Sequence, residues 1–126
     1  MTLTAIILLV LALYVVQIFL QETSLYGFNV RLILGNRDTR PAMSVIAARL
    51  DRAKNNMMES LPLFLGLALL ALVKDGDNSQ VVHAATWFLV ARTVYVPVYA
   101  AGIPVLRSIV WLTGVGAMLM MALALV

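Results

Sequence analysis

The sequence predicts an all-α integral membrane protein, a bundle of four transmembrane helices, on three observations. The 126 residues are 63% hydrophobic with a mean hydropathy of +0.97, whereas about half of the residues are apolar in a soluble domain of this size. Apolar runs able to cross a hydrocarbon core of roughly 30 Å recur at about residues 3–20, 57–73, 81–99 and 105–126. No composition shift or linker divides them, so residues 1–126 read as a single membrane domain.

Composition also excludes chemistry. The chain has no cysteine, which removes disulfides, thiolate zinc sites and cysteine nucleophiles together. No second histidine or carboxylate stands at metal spacing from the single His83, so no metal is expected. A net charge of +3 and a pI near 9.7 do not imply nucleic acid, because the basic residues flank membrane spans, where cytoplasmic placement and anionic lipid explain them.

Leu3 to Leu20 is the first span. A signal peptide is the competing reading, but no basic residue precedes the apolar run and no small-x-small site follows at Gln21-Glu22-Thr23. A connection of about 20 residues follows, with Glu22, Arg31, Arg37, Asp38 and Arg40 around a short apolar piece; Gly35-Asn36 reads as a turn. Pro41 suits a first helical position, with Asp38 or Thr39 as cap, so the second helix is expected to run from about residue 41 to Val73, well beyond the bilayer thickness. Its amino-terminal turns must then project past the hydrocarbon, with Pro62 at the point of entry.

That projecting part carries the most informative pattern in the chain. At about 100° per residue, Arg49, Arg52, Asn56 and Glu59 fall within an arc of about 80°, a polar ladder about 15 Å long at the edge of a span. The bland reading is a solvated helix end with weak ion pairs. Against it, a carboxylate at the bilayer boundary is costly and marks a functional site by default.

Lys74 to Gln80, KDGDNSQ, is a turn by composition. In the third span, Arg92, Tyr95 and Tyr99 share one face within about 60°. Ala101-Gly102-Ile103-Pro104 permits only a tight connection, so the third and fourth helices are expected to be antiparallel neighbours. Arg107 and Ser108 stand in the first turns of the fourth, where Gly114 and Gly116 would allow close packing. The positive-inside bias of Arg31, Arg37, Arg40, Arg49, Arg52, Lys54, Arg92 and Arg107 against Lys74 places both termini outside and the polar stripe on the cytoplasmic side, where Arg31, the stripe, the Arg92/Tyr95/Tyr99 face and Arg107 should converge. His83, Trp87, Trp111 and the methionines Met118, Met120 and Met121 read as packing or interfacial residues.

Two segments carry a resemblance. Arg49-x-x-Arg52-Ala53-x-x-Asn56-x-x-Glu59-x-x-Pro62, and Ala91-Arg92-x-x-Tyr95-x-x-x-Tyr99 followed by Pro104-x-x-Arg107-Ser108, resemble the MAPEG family, the membrane-associated proteins in eicosanoid and glutathione metabolism. The likeness extends over the whole chain in length and four-span layout. It implies a homotrimer with glutathione at the subunit interfaces near the cytoplasmic face. By position it implies that Arg52, Asn56, Glu59, Tyr95 and Tyr99 hold the peptide, that Arg31 reaches in from a neighbouring subunit, and that Arg107 stabilises the thiolate as the catalytic group. Arginines suit the two carboxylates of glutathione and Glu59 its ammonium. A nearby guanidinium favours thiolate over thiol. Arg49 and Arg92 are expected to be structural, pairing with other charges.

The expected function is therefore a membrane-embedded, glutathione-dependent transferase or peroxidase acting on lipophilic electrophiles that arrive from the bilayer lipid, in a bacterial inner membrane. The alternative is a non-catalytic trimer of the same fold that binds lipid or a partner. A small multidrug exporter ranks last, because such proteins rely on a carboxylate in the first helix and Leu3 to Leu20 contains none.

Overall fold

The structure is a computed structural model, and it describes residues 1–26, 29, 31, 34–35 and 42–126. Among these residues it contains four helices: α1 (Leu3–Leu25), α2 (Val45–Lys74), α3 (Ser79–Ala101) and α4 (Pro104–Leu125). Each is long and apolar enough to cross a membrane.

α1 outlasts its predicted apolar run by five residues. Thr23 Oγ1 donates back to the Phe19 carbonyl at 2.7 Å, and Gln21 is fully buried with its Oε1 accepting from Lys54 Nζ at 3.4 Å. The polar end of the helix is thus held against α2 rather than released into the loop. α2 opens at Val45, later than the expected residue 41. Ala42 and Met43 are not helical, and the Ser44 hydroxyl supplies the cap by accepting from Ala47 N at 3.1 Å. Pro41, Asp38 and Thr39, proposed from sequence as start and caps, lie outside the described residues, as do Arg37 and Arg40. Pro62 and Gly66 both sit inside an uninterrupted helix.

Lipid tails are as apolar as leucine, so close packing and hydrogen bonds hold membrane helices together. The seams are accordingly built on small residues: Ala47, Ala53, Ala68 and Ala71 on α2, Ala84, Ala85 and Ala91 on α3, and Gly114 and Ala117 on α4 are all buried. Phe64 and Phe88 stack between α2 and α3 with centroids 4.4 Å apart and rings inclined by 7°. They join Leu3, Ile6, Val10, Met57 and Met121 in one core. As expected, α3 and α4 are adjacent, and they share the most extensive seam of the bundle.

The two ends of the bundle are finished differently. At the end holding both termini, Asp77 Oδ1 accepts from Leu3 N at 2.8 Å, and Lys74 Nζ donates to the Leu125 carbonyl at 2.7 Å. A carboxylate at a helix start and an ammonium at a helix end match the helix dipoles. Asn78 caps α3 by accepting from Gln80 N and Val81 N. At the other end, Gly102 closes α3 in the left-handed region at φ +73°, Pro104 begins α4, and the polar residues gather.

Candidate functional site

The stripe on α2 and the face of α3 meet, and each guanidinium takes a different partner. Arg49 Nη1 donates to the Ala100 carbonyl at 3.2 Å, in the last turn of α3, where carbonyls lack helical partners. Its guanidinium lies flat on Gly102, close enough that a Cβ there would stand 2.6 Å from Arg49 Cζ. Gly102→Ala is therefore expected to displace Arg49 and strain a left-handed backbone, at a cost of roughly 1–2 kcal/mol. Gly102→Asn, which tolerates that conformation, isolates the displacement; thermal unfolding in detergent should rank wild type above both, with neither variant matching it.

Arg52 Nε donates to the Tyr99 hydroxyl at 3.1 Å. The Tyr99 ring also lies 5.0 Å from Arg107 Cζ and 5.8 Å from Arg52 Cζ, so one phenol gathers a cation from α2 and another from α4. Tyr95 meets Tyr99 edge-on, at 5.4 Å and 70°. One turn deeper, Arg92 is only 3% exposed. Its Nη1 donates to Asn56 Oδ1 at 2.5 Å, and its guanidinium lies 5.5 Å from the Phe88 ring and 5.4 Å from that of Tyr95. Gly114 lets α4 close over it, since a Cβ at that position would stand 3.5 Å from Arg92 Nε.

Arg49 and Arg92, expected to be structural through charge pairing, form no ion pair among the described residues of this one chain. Both join helices, but through neutral acceptors, a helix-terminal carbonyl and an amide. The nearby carboxylates are engaged or turned elsewhere. Asp51 faces Lys54, with Oδ1 3.3 Å from Nζ, and Glu59 is exposed.

Two adjoining pockets result. The first, about 280 Å³, is lined by Asn56, Tyr95, Tyr99, Arg107, Ser108 and Trp111. The second, about 290 Å³, shares Asn56 and Trp111 with it and adds Glu59, Ser60, Leu63 and Arg92 among its walls. Donors dominate the first pocket: a guanidinium, two phenols, an amide and a hydroxyl. Glu59 supplies the only carboxylate of the pair, and among the described residues it has no hydrogen bond or ion pair.

The sequence-predicted residues Arg52, Asn56, Glu59, Tyr95, Tyr99 and Arg107 are thus brought together within one chain. Arg31 is not. It is exposed in the first connection, its backbone N–H donates to Asn29 Oδ1 at 3.1 Å, and among the described residues no hydrogen bond joins its side chain to them. Trp111, read from the sequence as a packing or interfacial residue, is exposed and walls both pockets. The signal was present in its position, one helical turn after Arg107 on the same face of α4.

Four apolar helices enclosing a cationic, phenol-lined cavity at one end of the bundle define an integral membrane protein with a site suited to a polar, mainly anionic ligand. The chain belongs to the MAPEG family, whose model matches residues 1–126, the whole chain. Comparison with curated proteins and with solved structures gave no match.

Proposed function

We propose that this protein is a membrane enzyme that uses glutathione to conjugate lipophilic electrophiles or reduce lipophilic hydroperoxides, working as a homotrimer with glutathione at the subunit interfaces near the cytoplasmic face. The observation that carries the reading is the charge pattern of the paired pockets. Cationic and phenolic donors line one of them, and a single carboxylate without a partner in its own subunit stands in the other.

Glutathione fits that pattern, with two carboxylates and one ammonium, and it supplies the nucleophilic sulfur that a chain without cysteine lacks. Arg52 and Tyr99, already hydrogen-bonded to each other, present donors to a carboxylate. Glu59 receives the ammonium, which resolves its exposed charge at the side of a membrane helix. Asn56 is held in place by Arg92 and fixes the wall between the two pockets. Arg107, half-buried against Tyr99, is the cation on α4 that holds negative charge at the sulfur. Arg31, which lines neither pocket of its own chain, is left to serve a neighbouring subunit's site.

The bilayer delivers the apolar substrate to the exposed flank of α4, where Trp111 borders both pockets. In a bacterial inner membrane with both termini outside, the ligand enters from the cytosol. Purified trimer should show thiol-dependent turnover on a panel of apolar halonitroarenes, enones and lipid hydroperoxides. An intact trimer with no thiol-dependent turnover on any of them would instead mark a non-catalytic binding protein.

A further inference from the structure

The outer surface of the α3–α4 pair carries a groove unrelated to the polar site. Trp87 stands five residues before Arg92, about 140° away around α3, so groove and site occupy different faces of the helix. Three hollows of about 420, 500 and 140 Å³ follow one another along the groove. Met120 borders the first two, and Trp87 and Thr113 border the last two. From Gln80 to Val94 the groove runs about 21 Å along α3, more than half of a hydrocarbon core.

The groove is polar at one end only. Gln80 and His83 stand in the first two turns of α3, where the helix leaves the hydrocarbon, and both carry N–H donors. Beyond them the walls are Trp87, Val90, Val94, Val110 and Met120. Thr113, the one polar residue along the body, donates its hydroxyl to the Ile109 carbonyl at 2.9 Å. The floor is open at Gly116, where an added Cβ would meet nothing within 4 Å. Trp87 is 56% exposed although it lies about 12 Å into the helix, deeper than the headgroup level where membrane tryptophans gather. It therefore neither packs within the subunit nor anchors at the interface, but presents its indole to the groove.

We infer that this groove binds one acyl chain of a bilayer phospholipid, the tail lying along Trp87 and over Gly116 and the ester or phosphate oxygens accepting from Gln80 and His83. The polarity gradient matches an amphiphile lying parallel to the helices, its acceptor oxygens at the end where Gln80 and His83 offer donors and its hydrocarbon along the apolar remainder.

Trp87 itself provides the test. The chain has two tryptophans, so Trp111→Phe leaves Trp87 as the sole reporter. A phosphatidylcholine brominated at mid-chain, titrated into this variant in detergent, should quench Trp87 saturably at one equivalent per chain. Gly116→Leu, which fills the floor without meeting another side chain at its Cβ, should lose that quenching while keeping the oligomer and its melting temperature. Gly116→Ala should retain it, and His83→Ala should bind the lipid severalfold more weakly. Quenching that only follows the brominated fraction of the micelle would overturn the inference. So would the absence of any quenching in an intact oligomer, which would mean that a second copy covers the groove.

Discussion

Arg107→Ala is expected to abolish the ultraviolet thiolate absorbance of bound glutathione and to lower thiol-dependent turnover by about 10²–10³-fold, the usual cost of removing a donor aimed at developing charge. The guanidinium is half-buried over Tyr99 and lines the first pocket, where a low dielectric strengthens its field. It makes no hydrogen bond with another described residue, so the variant should keep its oligomeric state and much of its affinity for glutathione. Arg107→Lys keeps the charge but not the planar fork, and should fall between the two. Retention of the full thiolate signal in the alanine variant would remove Arg107 from the catalytic role.

The largest stability effect is expected at Asn56. Asn56→Leu strands the Arg92 guanidinium, 3% exposed and within a span, without its acceptor. Leaving one partner of a buried charged pair alone costs about 3–5 kcal/mol in soluble proteins. Membrane reference states find substitute partners, which reduces the expected loss to roughly 2–4 kcal/mol. Arg92→Met strands only an amide and should cost less. The double variant, with neither charge nor acceptor, should be more stable than Asn56→Leu alone. Unfolding of all four proteins in one detergent gives the coupling directly. Additive losses would show that the Arg92–Asn56 contact does not join α2 to α3.

The four spans were legible because hydropathy is a property of long segments, whereas their ends depend on single contacts. Residue 41 was a reasonable start for α2 from the proline rule, but Ser44 supplies the capping oxygen. α1 overran its apolar segment because Gln21 found burial against α2, which no local pattern announces. The polar stripe was legible for the opposite reason: helical period alone puts Arg49, Arg52, Asn56 and Glu59 on one face. Their partners were not, because the choice between a carboxylate, an amide and a helix-terminal carbonyl is made by the packing of α3 on α2. Gly102 illustrates the difference. Its turn was visible in the sequence, but its service as the surface on which Arg49 lies was not.

The central claim is that the paired pockets hold glutathione through Glu59 on one side and Arg52 with the tyrosines on the other. Equilibrium binding of glutathione to the purified protein in detergent tests it most directly. The account predicts saturable binding, weakened about 10–100-fold in Glu59→Gln, the worth of one charge-assisted hydrogen bond. No detectable binding to the intact wild-type oligomer at millimolar glutathione would contradict it.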